Sequence, residues 1–225
     1  MHDLCELLRG NPYPGRGIVV GTSATGERVA CYWIMGRSAN SRNRVFALTE
    51  DGIKTEAHDP NRLEDPTLVI YHPVRTMGDS LVVTNGDQTD TIVEKGSFHA
   101  GCMARTYEPD SPNFTPRISA VLHREGSFAL SILKRQAGND VSDGASNRCL
   151  REFFAYEDAD AGTGYLISTY QGDGSPLPSF AGEPIEVTLP EDPHDVWSAL
   201  DADNKVSLYV NVGGHVTLFN KNLGD

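Results

Sequence analysis

Short apolar runs recur along the chain between clusters of Gly, Pro, Asp and Ser, which is the punctuation of a strand-rich fold. Gly17 to Gly21 is a β-branched run, Ser23 to Glu27 holds turn residues around Gly26, and Arg28 to Met35 runs back, so the segment predicts a hairpin. Arg117 to Leu122 and Ser127 to Leu133 flank Glu125-Gly126 in the same way, and Lys205 to Val212 and His215 to Phe219 flank Gly213-Gly214. Further strands are predicted at Thr67 to Tyr71, Leu81 to Thr84, Leu150 to Tyr156 and Tyr165 to Tyr170, with a tight turn at Asn85-Gly86. Helical spacing is sparser. Ile92, Val93, Phe98, Cys102 and Met103 form a loose helical set that Thr89 or Asp90 would cap, and Asp192 to Leu200 reads as a short helix. Met1 to Gly10 also reads as a helix, stopped by Gly10, Pro12 and Pro14, and residues 1–12 are expected to be an appendage. Glu50 to Pro66 is acidic and punctuated by proline, and Gln136 to Asn147 is a polar, glycine-containing loop. Paired hairpins with a few intervening helices predict an α+β fold of antiparallel sheets covered by helices, not alternating βαβ units.

The chain has 225 residues and no composition break, so one domain over 1–225 is expected, with ample length for a buried core. Its formal charge of −12 argues against nucleic-acid partners held by phosphate neutralisation. An anionic ligand would be repelled by the overall field and would need a local arginine cluster with directed hydrogen bonds. Cys5, Cys31, Cys102 and Cys149 lie far apart with no zinc-like spacing and read as reduced thiols. With no signal-peptide pattern and no apolar span of membrane length, a soluble cytoplasmic protein without a membrane partner is expected.

Two stretches carry candidate chemistry. Arg105 to Val121 crowds three prolines, two arginines, a glutamate and an aspartate between the predicted helix and an apolar strand. Proline fixes the backbone on both sides, so this loop is rigid; it is either a stiff crossover or a mount that holds ionisable groups at a strand mouth. Gly36 to Arg44 sets Arg37, Arg42 and Arg44 among Ser and Asn, which is either an anion clamp or a solvated basic loop. Tyr71 and Tyr107 read as core aromatics by default. Walker, nucleophile-elbow and HExxH patterns are absent, and the histidines show no paired spacing, so no metal site is expected.

Five segments occur in the order and approximate spacing seen in archaeal-type IMP cyclohydrolases, which this chain resembles over about half its length. They are Pro14-Gly15-Arg16-Gly17-Ile18-Val19-Val20-Gly21, Arg37 to Arg42, Thr84-Asn85-Gly86-Asp87-Gln88-Thr89-Asp90, Tyr107-Glu108, and Thr115-Pro116-Arg117-Ile118. It departs from that pattern in carrying Ala39-Asn40-Ser41 between two arginines, and in the N-terminal extension, the long Glu50 to Pro66 segment and the Gln136 to Asn147 insertion.

The resemblance implies a four-layer αββα sandwich like that of N-terminal nucleophile hydrolases, without self-processing. It implies closure of 5-formamidoimidazole-4-carboxamide ribonucleotide to inosine monophosphate and water, with a purine nucleotide as partner and a homo-oligomeric assembly. No cofactor is expected, because the reaction is an internal condensation. By position in the family, Glu108 is expected to transfer protons and Tyr71 to donate toward the formyl oxygen, with Arg37 and Arg42 on the carboxamide or phosphate. Arg44, Asn85, Arg117 and Arg75 are expected to bind substrate or order the site. A diverged amidohydrolase on a related nucleotide and a non-catalytic nucleotide-binding protein are the other readings.

Overall fold

The computed structural model of the chain describes residues 1–63, 66, 69–136 and 148–225. Its elements begin with β1 (His2–Asp3), α1 (Leu4–Arg9), β2 (Gly17–Thr22), β3 (Arg28–Met35), α2 (Ala39–Arg42), β4 (Arg44–Leu48) and β5 (Gly52–Ala57). β6 (Val74–Met77), β7 (Ser80–Thr84), α3 (Gln88–Lys95), α4 (Phe98–Met103), β8 (Arg117–Leu122) and β9 (Phe128–Arg135) follow. The chain closes with β10 (Cys149–Tyr156), β11 (Thr163–Ser168), β12 (Ile185–Thr188), α5 (Pro193–Ala199), β13 (Lys205–Val212) and β14 (His215–Asn220).

Among the described residues these strands make two sheets of seven, ordered β1-β12-β11-β2-β3-β13-β14 and β10-β9-β8-β7-β6-β5-β4. All pairings are antiparallel except the two-residue contact of β1 with β12. The second sheet is a meander in chain order, with its long connections between β5 and β6, between β7 and β8, where α3 and α4 lie, and between β9 and β10.

Alternation along each strand decides what it faces. In β3, Ala30, Tyr32 and Ile34 join Ile118, Ala120, Leu122, Leu130 and Ile132 in the core between the sheets. Its other face, Cys31, Trp33 and Met35, packs under α1 and α5 with Leu4, Leu8, Val196 and Trp197. On the far side, Val82, Val121 and Leu133 pack under α3 and α4 against Ile92, Phe98 and Cys102. The result is helix, sheet, sheet, helix. A sheet covered on both faces needs continuous apolar strands, which is why β3 reads as an unbroken hydrophobic run. Asn220 ties β14 to the other sheet: its carbonyl accepts the Phe46 N–H at 2.7 Å and its amide donates to the Phe46 carbonyl at 3.2 Å.

Several expectations are corrected. The first residues are no appendage: Leu4, Cys5 and Leu8 form the apolar inner face of α1 and are buried against the sheet that helix covers. The predicted long helix is two, since Gly96 adopts a left-handed conformation (φ 59°) that ends α3, and Ser97 then caps α4. Asn85-Gly86 forms the tight strand-to-helix junction between β7 and α3, and β7 pairs with β6 on one side and β8 on the other. Glu50 to Pro66 contains β5, whose alternation of Ile53 and Thr55 inward with Lys54 and Glu56 outward was masked by its charges. The strand predicted at Thr67 to Tyr71 is not one over Val69 to Tyr71, where Val69 and Ile70 turn back onto the Pro66 carbonyl. Residues 67–68 of it, and 137–147 of the predicted polar loop, lie outside the described residues.

Candidate active site

The ionisable groups that meet in the interior come from both sheets. Just before β2, Pro14-Gly15-Arg16 lies against Thr169-Tyr170, with Thr169 N–H donating to the Arg16 carbonyl at 2.8 Å and Arg16 N–H to Thr169 Oγ1 at 3.1 Å. Gly15 is required for this approach: its φ is +73°, and a side-chain carbon there would lie 2.2 Å from Thr169 Oγ1 and 2.6 Å from the Tyr170 ring. The anchoring sends the Arg16 side chain inward. Its Nη2 donates to both oxygens of Glu108, at 3.2 and 3.1 Å.

Glu108 comes from the proline-rich loop, which is rigid by its hydrogen bonds as well as its composition. The Glu108 N–H donates to the Thr115 carbonyl at 2.9 Å, Thr115 N–H donates to Asp110 Oδ1 at 2.6 Å, and the Thr115 hydroxyl donates to Asp110 Oδ2. With that proton committed to Asp110, the Thr115 oxygen is left to accept from the Tyr170 hydroxyl, 2.6 Å away. The Glu108 residue is only 4% exposed. Burial pushes its carboxyl above the ordinary value; Arg16 and Arg117 pull down without cancelling the burial, and Asp110 adds to the rise. For Arg16, burial alone would favour the neutral form, but Glu108 reverses the sign and holds its pKa well above the usual one.

Behind Glu108 stands a polar wall. Arg117 Nη1 donates to Gln88 Oε1 at 2.6 Å and pairs with Asp87 at 2.8 Å, and Arg105 meets the same Asp87 oxygen at 2.5 Å. Asn85 is the organiser of the junction: its carbonyl accepts the Ile118 N–H at 2.9 Å and Gln88 Nε2 at 2.9 Å, while its amide donates to the Pro116 carbonyl at 2.9 Å. Gly86 leaves the space Arg117 occupies, since a side-chain carbon there would sit 2.5 Å from Arg117 Nη1 and 3.5 Å from Glu108 Oε1.

In front stand two tyrosines and an arginine. The Tyr71 and Tyr32 hydroxyls are 2.8 Å apart and both residues are buried. Burial, with Tyr71 beside it, drives the Tyr32 phenol well above its ordinary pKa, so it stays protonated. Arg44, at the start of β4, is 2% exposed; its Nε donates to the Ser41 carbonyl at 2.8 Å, and no carboxylate among the described residues lies within ion-pair distance. Its pKa is lowered, first by burial and then by Arg16, against the influence of Tyr71, Tyr32 and Glu108. Arg16, Arg44, Tyr32, Tyr71 and Glu108 therefore act on one another's charge.

Five of the expected residues, Glu108, Tyr71, Arg44, Asn85 and Arg117, are thus buried in or against this cluster. The other three have different partners. Arg37 is exposed, lies over the Tyr13 ring at 4.7 Å and pairs with Asp173 at 2.5 Å. Arg42 is exposed and donates to the Gly36 carbonyl and Asn204, because α2 turns its side chain away from that of Arg44 two residues on. Arg75 pairs with Asp51 and Asp90. Arg16 and Tyr32 were missed. The flanking glycines of Arg16 were a signal of close backbone approach; Tyr32, inside an apolar run, offered none. A cleft of about 740 Å³ lies between α1 and the 171–181 loop, but no Lys or Arg lines it, which suits it poorly to an anionic ligand.

The model of the IMP cyclohydrolase-like protein family matches residues 13–215. The chain belongs to that family. The family match takes in every residue of the buried cluster and leaves out α1 and most of β14. Relatives named IMP cyclohydrolase include one from Methanococcus aeolicus, 29% identical over 137 residues that cover 57% of this chain and 65% of the relative. Another from Methanocella arvoryzae is 31% identical over 61% of this chain and 71% of its own length, and one from Methanopyrus kandleri 29% identical over 74% and 79%. The first of these matches therefore spans just under two thirds of its relative.

Proposed function

We propose that this protein is an IMP cyclohydrolase, closing 5-formamidoimidazole-4-carboxamide ribonucleotide to inosine monophosphate and water. The observation that carries the reading is a buried carboxylate, Glu108, sharing the interior with hydrogen-bonded tyrosines and with Arg44, in a chain of this family.

Ring closure joins the carboxamide nitrogen to the formyl carbon, and an amide nitrogen is a weak nucleophile. Glu108, with a carboxyl above its ordinary pKa, is suited to take the carboxamide proton as the bond forms. The formyl oxygen gains that charge; Tyr71, backed by the Tyr32 hydroxyl, donates to it, and the uncompensated Arg44 cation stabilises it. Glu108 returns that proton to the oxyanion to give the carbinolamine, then takes the hydrogen of the former formamide nitrogen and passes it to the departing hydroxyl, so that the ring C=N forms as water leaves. Protons balance, and one water leaves.

Holding the formamide facing the carboxamide is the larger part of the work, which suits a cluster fixed from two sheets. Because Glu108 and Tyr71 are almost covered, a bound nucleotide displaces residues that now shield them. Arg37, exposed and stacked on Tyr13, which in turn stacks on Tyr170, is the cation we assign to the phosphate. The layering is read as the N-terminal nucleophile hydrolase arrangement without self-processing, in a cytoplasmic homo-oligomer.

The test is incubation of purified protein with the formamido ribonucleotide, following purine absorbance and product mass. Turnover is expected, reduced roughly a hundredfold or more in Glu108→Gln. Nucleotide binding without turnover would refute the assignment.

A further inference from the structure

We propose that Arg16 is the positioning residue for Glu108: one guanidinium nitrogen bridges both carboxylate oxygens, from a backbone locked to Thr169, and so fixes the carboxylate and keeps it ionised between the sheets. This rests on the cyclohydrolase reading for the role of Glu108, but the geometry it uses is independent of the substrate.

The pair is buried on both sides, with side-chain exposures of 14% for Arg16 and 6% for Glu108 at 3.1 Å. A carboxylate so far from water would otherwise hold its proton, and a protonated carboxyl cannot act as a base. The guanidinium opposes that. It does so through a single nitrogen, which takes one lone pair from each oxygen and leaves the others open to an incoming N–H. Arg16 is itself held in place: its main chain is bonded to Thr169 in both directions, and Gly15 lets the two strands of chain approach.

The other ionisable groups around Glu108 do not substitute for it. Arg117 of β8 also pulls the carboxyl down, but its Nη1 is engaged by Asp87 and Gln88. Asp110 of the same loop pushes it up. Arg44 of β4 adds a further cation, and Tyr32, Tyr71 and Tyr170 surround Arg16 as phenols. Arg16 is thus the one cation bonded to the Glu108 oxygens among the described residues.

The experiment compares wild type, Arg16→Met and Arg16→Lys by two readouts. The first is the pH profile of kcat/KM with the formamido ribonucleotide, whose acidic limb reports the ionisation of Glu108. The second is a carbon-13 NMR titration of glutamate side-chain carboxyls, with the Glu108 signal assigned by its loss in Glu108→Gln. Arg16→Met is expected to move both the limb and the NMR midpoint upward by roughly 1–3 pH units, the effect of removing an adjacent opposite charge. Arg16→Lys, which keeps the charge but loses the planar guanidinium that sets where the donating nitrogen sits, is expected to restore most of the midpoint but not the turnover. An unchanged midpoint in Arg16→Met, with lowered turnover, overturns the proposal and leaves Arg16 a structural tie. If wild type does not turn over the nucleotide, the cyclohydrolase reading fails while the NMR titration still decides the clamp. If Arg16→Met does not fold, the midpoint in Arg16→Lys decides: a value as in wild type supports a charge-based clamp, and a shift of the size expected for Arg16→Met overturns it.

Discussion

Removing Arg16 should destabilise the fold by an amount that depends on pH in a defined direction. In Arg16→Met the Glu108 carboxyl remains buried and loses its bonded cation, so its folded-state pKa rises further above the ordinary 4.5. Between that ordinary value and the raised one, the folded state holds a proton that the unfolded state has released. Stability therefore falls as pH rises, by about 1.4 kcal/mol per pH unit for one proton. In wild type the same window is narrower, because Arg16 pulls the carboxyl down. The gap between the two proteins is expected to be smallest at the acidic end of the range, below the raised value in both. By pH 7 it should open to about 3 kcal/mol, in line with the usual cost of breaking a buried ion pair. The assay is urea unfolding of both proteins at several pH values from 4.5 to 7.5, with Glu108→Gln and the double variant completing a cycle. Between Glu108→Gln and the double variant the pH-dependent part of the gap should vanish, since the carboxyl at position 108 is gone. A gap that stays constant with pH would refute the reasoning, because it would mean that Arg16 contributes packing alone.

Two further predictions address the wall behind the site and the outer layer. Gly86→Ala would place a carbon 2.5 Å from Arg117 Nη1 and 2.7 Å from Gln88 Oε1, forcing Arg117 off one charged hydrogen bond; a loss of about 1.5–3 kcal/mol in unfolding free energy and a fall in turnover are expected, and unchanged values in both would show that the wall yields freely. Leu8→Ala is expected to cost about 2–5 kcal/mol in chemical denaturation, as for any buried leucine, whereas a free appendage would show no change.

The three hairpins predicted from sequence, β2–β3, β8–β9 and β13–β14, were legible because the evidence for each is local. A glycine with positive φ at Gly26, Gly126 and Gly213 sits between two apolar runs, and nothing distant is needed to close such a turn. β5 was illegible for the opposite reason. Lys54 and Glu56 face outward, so the strand is recognised only once its neighbours β4 and β6 exist. The rigidity of the Glu108 loop could be read from its prolines, and the five buried candidates from their motifs. Which arginine goes inward could not. Arg42 and Arg44 are two residues apart in one polar loop, yet the short helix α2 leaves the first in water and the start of β4 carries the second into the core.

Sequence by itself thus determined the three hairpins with their turns and the stock of ionisable groups. Only the tertiary structure decided which of those groups lose water and which face each other. Arg16 meets Glu108 across 92 positions and Tyr32 meets Tyr71 across 39. The chemical character of each is set by desolvation and by the charge a few ångströms away, quantities that exist only after the two sheets have closed.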